Sequence, residues 1–315
     1  MNNSLTAIHG IKVGHAESKS VLTGVTVALF DKPYVCAVDA RGGWPGSYDT
    51  ESIDIGKNFY KNDAIFLTGG DVLGLDAAKG VRRFLVENGR DSLFPGELPS
   101  VIGANIYDIL DQQFWNVNYE KLGYLAALNA SKKPVKEGSV GVGRGATVGK
   151  LLSMSFASKG GVGSYNITVL EKINIACLVV TNSIGNIYNL TENRILAGTH
   201  NPIKNNEFVD LMDIADAYFN NKNFDKRSPK RATTLGIVAT DANLSHEETI
   251  RLATVAHDGF ARAIRPVHMN RDGDTIFAVS TGEFEVSGDR SRLTDIINES
   301  SCRCLAEAIA RSVIY

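Results

Sequence analysis

The chain alternates short apolar runs with longer stretches in which apolar residues recur every three or four positions, an order typical of α/β folds. The first pattern predicts buried strands and the second predicts amphipathic helices. We predict strands at residues 21–30, 64–68, 175–180, 234–239 and 275–279. We predict helices at residues 71–87, 208–219, 245–264 and 291–314. The third helix should begin with a capping box, because Ser245 lies three residues before Glu248.

A polar stretch at residues 201–232 interrupts this order. It ends in the basic segment Asn-Asn-Lys-Asn-Phe-Asp-Lys-Arg-Ser-Pro-Lys-Arg-Ala and stops at Thr233, where a buried-strand pattern begins. The composition predicts a solvated linker of the kind that tolerates a chain break. A cut directly before Thr233 would make this threonine the N-terminus of a core strand.

Such a cut would supply a nucleophile and a base together. A threonine hydroxyl is a poor nucleophile at neutral pH, but a freed α-amine with an ordinary pKa of roughly 7.7 to 8 can take its proton. Threonine is also a common first residue of ordinary strands. The residues around Thr233 alone therefore leave both interpretations open.

The charge balance and the cysteine spacing narrow the functional classes. The chain has 315 residues, with 33 Lys and Arg residues against 35 Asp and Glu residues. A balance this even argues against a broad surface for nucleic acid or an anionic membrane. The four cysteines form neither a disulfide framework nor a paired zinc pattern, which favours reduced thiols. The N-terminus lacks a signal-peptide pattern and no window resembles a membrane span, so we expect a soluble cytoplasmic protein.

Three segments suggest cofactors, but each lacks a required feature. The segment Gly141-Val-Gly-Arg-Gly-Ala fits a dinucleotide-binding loop, but no clear strand leads into it. The Gly-Lys pair that ends at Lys150 lacks the following Ser or Thr of a phosphate-binding loop. A zinc-helix pattern begins at His246 but has Ile250 in place of its second histidine. We therefore expect no cofactor and no metal.

Four separated motifs carry a resemblance to a known family. They are Arg41-Gly-Gly-Trp-Pro-Gly, Leu67-Thr-Gly-Gly-Asp-Val-Leu-Gly-Leu-Asp-Ala-Ala, Gly145-Ala-Thr-Val-Gly-Lys and Thr233-Thr-Leu-Gly-Ile-Val. In this order they resemble the L-aminopeptidase/D-esterase family of self-cleaving hydrolases, which includes the nylon-oligomer hydrolases. The segment Ile264-Arg-Pro-Val-His-Met-Asn-Arg-Asp-Gly-Asp-Thr-Ile-Phe-Ala-Val is especially similar to the nylon-oligomer branch.

The resemblance implies a single hydrolase domain over residues 1–315. Its fold would be a layered αββα-type sandwich of the kind that this family shares with ornithine acetyltransferases. The chain would cut itself between Ala232 and Thr233 into residues 1–232 and 233–315, and the processed heterodimers would assemble as a homo-oligomer, a tetramer. Ala232 departs from the family pattern, because the nylon-oligomer enzymes have asparagine there and the aminopeptidases glycine. Alanine need not block the cut, because the side chain before the nucleophile does no chemistry. If strain at this bond drives the cut, the departure could still change its rate.

The resemblance also assigns roles to three residues of the reaction centre. Thr233 would be the nucleophile, with its α-amine as the general base. Lys150 would lower the pKa of the hydroxyl and keep the α-amine neutral. Asn182 would donate its side-chain amide to the oxyanion. The alternatives are ordinary ones: a solvated loop lysine at 150 and a turn-forming asparagine at 182.

Two carboxylates and a tyrosine complete the implied site. Asp272 and Asp274 would orient the Thr233 amine and Lys150 and balance their charge. By itself Asp-Gly-Asp is a common turn sequence. In the resemblance it favours the nylon-oligomer branch, because the aminopeptidases have a serine and a glutamate at these positions. Tyr107 would line the substrate cleft and assist oxyanion binding, or would simply pack in the core.

We therefore predict an amide hydrolase that acts on small peptides or linear amide oligomers, in the manner of a nylon-oligomer endo-amidase. An aminopeptidase/D-esterase or a β-peptidyl aminopeptidase is the alternative within the family. A more distant alternative is an acyl transferase like ornithine acetyltransferase, against which the order of the motifs argues. An uncut, non-catalytic protein that binds an anion through its glycine-rich loop is the remaining hypothesis.

Overall fold

The computed structural model describes residues 2–90, 98–204, 207–220, 231–285 and 288–314. Its strands are β1 (Ile11–Glu17), β2 (Gly24–Ala40), β3 (Ser47–Tyr48), β4 (Lys61–Thr68), β5 (Val101–Asn105), β6 (Thr147–Val148), β7 (Ser158–Lys159), β8 (Gly161–Val169), β9 (Ile173–Asn182), β10 (Asn186–Tyr188), β11 (Ile195–Ala197), β12 (Thr233–Ala242), β13 (Ile264–Arg265) and β14 (Thr275–Phe284). Its α-helices are α1 (Ala77–Glu87), α2 (Tyr119–Leu128), α3 (Ala215–Asn220), α4 (His246–Ala263) and α5 (Arg290–Arg311). None of these described helices offers a stretch long and apolar enough to cross a bilayer.

The long strand β2 joins two layers of sheet. Its first half pairs with β1 on one side and β4 on the other, whereas its second half pairs with β14. The hydrogen-bonded order is β3-β5-β4-β2-β14-β12-β9-β8, and β1 adds to the free side of β2. Two neighbouring pairs, β4 with β5 and β12 with β14, run parallel. A single strand network therefore supplies both layers.

Three apolar cores show how the layers stack. Leu235 and Ile237 of β12 share one core with Ile65 and Leu67 of β4, so this core lies between the two sheet layers. The next residue, Val238, packs with α4 and α5 instead, since successive side chains of a strand point to opposite faces. The helices α1 and α2 cover β2 and β4 on the far side. The order is helices, sheet, sheet, helices, which confirms the predicted αββα sandwich.

The predicted elements agree with the structure in kind more often than in extent. All five predicted strands overlap β2, β4, β9, β12 or β14, and α4 begins with the predicted capping box. The helix predicted at residues 71–87 is α-helical only from Ala77, because Gly70 and Asp71 have left-handed backbone angles and open a 3-10 turn. The helix predicted at residues 208–219 is wrong over its first half. There Asp210 and Asp213 side chains bond nearby backbone amides, which competes with helix formation.

The predicted solvated linker ends in buried structure. Residues 205–206 and 221–230 of this stretch, including most of its basic segment, lie outside the described residues. Ala232, at its end, is fully buried, so the prediction is wrong at that residue. The reason is backbone pairing: the Ala232 amide donates to the Arg271 carbonyl over 2.9 Å, and its carbonyl accepts from the Gly273 amide over 2.8 Å.

The interlayer core should dominate the stability of the sandwich. We expect Ile237→Ala to lower the free energy of unfolding by about 2–5 kcal/mol, because Ile237 is fully buried and its loss leaves a cavity. The measurement is urea unfolding in a Thr233→Ala background, which keeps the chain uniform. The control Ile55→Ala, at a residue 69% exposed, should change it by less than about 0.5 kcal/mol. Equal effects of the two substitutions would contradict this layered core.

Candidate active site

Thr233 is the first residue of a central strand. In the sheet β12 lies between β9, which runs antiparallel to it, and β14, which runs parallel. The β9 register sets Thr233 opposite Asn182, and the parallel bridge beside β14 sets Ala232 opposite Asp272. Thr233 is only 4% exposed. Residues far apart in the sequence thus meet at the beginning of β12.

The Ala232–Thr233 peptide bond is held from two sides. The Thr233 hydroxyl donates to the Ala232 carbonyl over 2.6 Å, and the Gly273 amide donates to the same oxygen over 2.8 Å. Gly273 must be glycine for this approach, because a Cβ there would lie 2.8 Å from Thr233 Oγ1 and 2.7 Å from the Trp44 carbonyl oxygen. The hydroxyl therefore lies against a carbonyl group that is already polarised by a backbone donor.

Lys150 and Asn182 contact each other directly. Lys150 Nζ donates to the Asn182 carbonyl over 2.8 Å and to Asn182 Oδ1 over 2.7 Å. Asn182 Oδ1 also accepts from the Thr147 amide, and Nδ2 donates to the Tyr107 carbonyl over 2.9 Å. These partners fix the orientation of the Asn182 amide. One N–H of Nδ2 is used by Tyr107, which leaves the other for a further acceptor.

Lys150 reaches this position because its backbone bonds to the segment that connects β9 to β10. The Lys150 amide donates to the Ile184 carbonyl, and the Gly149 amide donates to the Gly185 carbonyl. Gly149 has a φ of +71°, and a Cβ there would lie 2.1 Å from the Gly198 carbonyl carbon. The motif glycine therefore serves a close backbone approach. Lys150 is 3% exposed, which excludes a solvated loop lysine.

Asp272 and Asp274 are buried in the sheet rather than solvated in a turn. Asp272 Oδ2 accepts from the Met269 amide over 2.9 Å, and Asp274 Oδ1 accepts from the Thr234 amide over 2.8 Å. The second oxygen of Asp274 accepts from both the backbone and Nδ1 of His268. Asp-Gly-Asp leads directly into β14, so its residues lie beside Ala232 and Thr233 as an extension of the parallel pair.

Two charged groups of the site, Lys150 and Asp272, have pKa values shifted towards neutral pH. Burial lowers the pKa of Lys150 to about 7, against the charges of Asp272, Asp108 and Asp274, which raise it. Burial, and then the charge of Asp274, raise the pKa of Asp272 to about 7, although backbone donors and Lys150 oppose this shift. Because Lys150 and Asp272 titrate in the same range, the pair can hold or release a proton close to pH 7.

Two further residues of the site did not follow from the sequence. His268 holds Asp274 and has a left-handed backbone, with a φ of 57°. Asp108 is buried and accepts a hydrogen bond from the Gly70 amide over 2.7 Å. Its charge raises the pKa of Lys150. Burial raises the pKa of Asp108 to about 7. His268 lies within the segment that begins at Ile264 and Asp108 directly follows Tyr107, but only their three-dimensional neighbours show what they contact.

The predicted site residues therefore fall into one cluster and one flanking position. The cluster holds Thr233, Lys150, Asn182, Asp272 and Asp274. Tyr107 flanks it, and the contact it makes there is that of its backbone carbonyl with Asn182. Across the described part of the chain, no group of three or more His, Cys, Asp or Glu side chains is arranged as a metal site.

The fold of this chain matches those of solved aminopeptidase structures. It superimposes on the L-aminopeptidase D-Ala-esterase/amidase of Ochrobactrum anthropi, described as a new variant among the Ntn hydrolase fold, with a TM-score of 0.71. This match covers 99% of this chain and 85% of the O. anthropi chain, at 18% identity. A match to another solved structure covers 98% of this chain. That likeness establishes the fold.

The chain belongs to peptidase family S58, whose model matches residues 3–315. It is 34% identical to an uncharacterized aminopeptidase of Mycobacterium leprae, over 99% of this chain and 90% of the relative. It is 26% identical to a 6-aminohexanoate-oligomer endohydrolase of Paenarthrobacter ureafaciens, over 95% of this chain and 81% of that enzyme. The chain is thus a hydrolase of peptide or amide bonds, and the predicted family is confirmed.

The raised pKa of Asp108 should make stability depend on pH. A carboxyl whose folded pKa is raised contributes stability that is full below its unfolded pKa, near 4, and is lost as the pH rises through about 7. We expect the stability of the Asp108 chain, relative to Asp108→Asn, to fall by up to about 4 kcal/mol between pH 4 and 8. The measurement is urea unfolding at several pH values in the Thr233→Ala background.

The control for this prediction is Asp76→Asn, at an exposed carboxylate of the 3-10 turn that precedes α1. Its stability curve should stay parallel to that of the parent across the same range. A parallel curve for Asp108→Asn as well would show that the Asp108 carboxyl is not held neutral in the folded chain.

Proposed function

We propose that the chain cuts itself between Ala232 and Thr233 and then uses the freed Thr233 to hydrolyse amide bonds. The observation that carries this proposal is the 2.6 Å contact between the Thr233 hydroxyl and the Ala232 carbonyl, to which the Gly273 amide also donates. A nucleophile, its target and a donor for the developing oxyanion are then together before any substrate arrives.

The cut proceeds as an N-to-O acyl shift. Thr233 Oγ1 attacks the Ala232 carbonyl carbon, the C–N bond breaks, and the hydroxyl proton ends on the Thr233 nitrogen. Gly273 stabilises the oxyanion through its amide. Water then hydrolyses the ester, which returns a hydrogen to Oγ1 and leaves a carboxylate on Ala232. The products are residues 1–232 and 233–315, with a free α-amine on Thr233.

The processed centre would act on a substrate by the same chemistry. The neutral α-amine of Thr233 takes the hydroxyl proton during attack and gives it to the leaving amine. The unused N–H of Asn182 is free to bind the oxyanion, with Tyr107 holding the amide in place. Lys150 supplies a nearby cation that favours a neutral amine, and Asp272 and Asp274 balance its charge.

For the substrate we propose small peptides or linear amide oligomers. Two observations support this class: the similarity to a 6-aminohexanoate-oligomer endohydrolase, and the buried Asp-Gly-Asp segment at Asp272 and Asp274. The similarity to an uncharacterized aminopeptidase favours the second candidate, removal of an N-terminal residue. Matched amides with free and acetylated N-termini separate the two, because an endo-amidase accepts both and an aminopeptidase accepts only the free form.

We further propose a cytoplasmic location and assembly of the processed heterodimers into a homo-oligomer, a tetramer. The cysteines support a reducing compartment, since Cys36, Cys177, Cys302 and Cys304 are free thiols in buried positions. The assembly rests on the family resemblance alone, and light scattering of the purified protein tests it.

Removal of the nucleophile should abolish both reactions. We expect Thr233→Ala to remain a single chain by intact-mass analysis and to hydrolyse no amide, because neither the hydroxyl nor the freed amine exists. The matched control is Thr281→Ala, a buried strand threonine of β14, which should be cut and active. A wild-type chain that stays whole and inactive would contradict the proposed function and favour a non-catalytic binding protein.

The charged side chains of Lys150 and Asp272 should affect the rate of amide hydrolysis after the cut. We expect Lys150→Ala and Asp272→Ala to slow amide hydrolysis by at least about a hundredfold, the scale of a lost electrostatic or acid–base contribution. Rates are measured per processed chain, so that slow processing does not enter the comparison. Lys159→Ala, at an exposed lysine of β7, is the control and should hydrolyse at the parent rate. Near-parent rates for both variants would assign them structural roles only.

A further inference from the structure

The residue before Ala232 occupies a site of its own. The Arg231 guanidinium donates through Nη1 to Asp71 Oδ2 over 2.9 Å. Its central carbon lies 4.0 Å from the centre of the Trp44 ring. A carboxylate beside an aromatic face is the arrangement that recognises an organic cation. The Asp71 side chain is 15% exposed and the Arg231 side chain 29% exposed, so the carboxylate is the better shielded of the two groups.

This site is tied to the reaction centre by backbone hydrogen bonds. The Trp44 amide donates to the Asp272 carbonyl over 2.8 Å. The Asp71 amide donates to the carbonyl of Ile106, the residue before Tyr107, over 3.1 Å. Asp71 also has a left-handed φ of 51°, a conformation that aspartate adopts more readily than most residues other than glycine. The carboxylate and the ring therefore keep a set position relative to Thr233.

The chemistry of the cut shows which side of the substrate would reach this site. The ester formed by the acyl shift carries the first chain as its acyl group, with Ala232 at the ester carbonyl and Arg231 next to it. An ester formed from a substrate differs only in the acyl group. The acyl part of a substrate therefore approaches Thr233 Oγ1 from the side on which Arg231 now lies.

The C-terminal end of the first chain must withdraw before a substrate can bind. The Ala232 carbonyl occupies the place beside Thr233 Oγ1 that a substrate carbonyl needs. After hydrolysis Ala232 ends in a carboxylate, which lies opposite Asp272 and is repelled whenever that group is ionised. Withdrawal takes Arg231 with it and leaves the carboxylate of Asp71 without its cation.

We propose that Asp71 and Trp44 form a cation subsite on the acyl side of the cleft, filled by Arg231 before the cut and by a positive group of the substrate afterwards. The subsite rests on the proposed function for its use in catalysis. The guanidinium carbon of Arg231 is about nine covalent bonds from the Ala232 carbonyl carbon. Acyl groups that end in a guanidinium or an ammonium at a comparable reach are therefore the preferred class.

Calorimetric binding to the processed protein tests the subsite directly. The probes are acetyl-Arg-Ala and acetyl-citrulline-Ala, which have the same shape but differ in charge, and 9-aminononanoate with nonanoate as the ammonium pair, whose nitrogen has the same reach of about nine bonds. They are measured on the wild type and on Arg231→Gln, which removes competition from the chain's own cation. We expect at least one cationic probe to bind at least about tenfold more tightly than its neutral partner.

The preference should depend on Asp71. In Arg231→Gln combined with Asp71→Asn the cationic and neutral probes should bind alike, because asparagine tolerates the left-handed backbone but carries no charge. Combined instead with Asp76→Asn, an exposed carboxylate of the same turn, the preference should remain. A preference within the acetyl-Arg-Ala and acetyl-citrulline-Ala probes identifies a guanidinium ligand. A preference within the ammonium probe pair identifies an ω-ammonium ligand.

Two results would overturn the subsite: equal binding within both pairs to the wild type and to Arg231→Gln, or a preference that survives Asp71→Asn. Neither result bears on amide hydrolysis, which is assayed separately with alanine p-nitroanilide and longer amides. Loss of the subsite with hydrolysis intact leaves the proposed function standing. Absence of all hydrolysis by a cut chain would remove the proposed function whatever the probes show.

Discussion

The hydrogen bond from the Gly273 amide to the Ala232 carbonyl is the contact on which the rest of the site depends. It exists because β12 and β14 run parallel and in register, so that the residues before each strand continue the pairing. It holds the Ala232–Thr233 bond in the sheet and brings Asp272 and Asp274 alongside it. The absence of a Cβ at Gly273 is what allows this approach, since any side chain would collide with Thr233 Oγ1.

Around this bond the molecule buries several charges that could not be buried singly. Lys150 contacts Asn182 and lies in the field of three carboxyl groups, while each aspartate of the Asp-Gly-Asp segment accepts from backbone amides. Burial costs free energy that only mutual pairing offsets. As a result the pKa values of Lys150, Asp272 and Asp108 lie close to neutrality, which is the range in which proton transfer during amide hydrolysis is most useful.

The sequence predicts the layered fold and the members of the central cluster, but it does not predict the contacts that surround them. Strands such as β12 are predicted from their continuous apolar residues, and the motifs carry the resemblance to the family. The sequence does not single out His268, Asp108 or Arg231, because no spacing rule connects these residues with the partners that they contact. Asp-Gly-Asp is misleading by itself for the same reason: its usual turn is replaced by a parallel extension that only the pairing of β12 with β14 creates.

The strand order has a consequence for what a cut at Ala232 does to the molecule. In the main sheet, the second fragment would contribute β12 and β14, which lie side by side between β2 and β9 of the first fragment. The two polypeptides are then interleaved, each completing the hydrogen bonding of the other. Separation would require breaking ladders on both sides at once, so the nick changes the covalent connectivity without loosening the body. Once unfolded, however, the two fragments would have to associate again before they could fold. Folding would then be a second-order reaction instead of a first-order one.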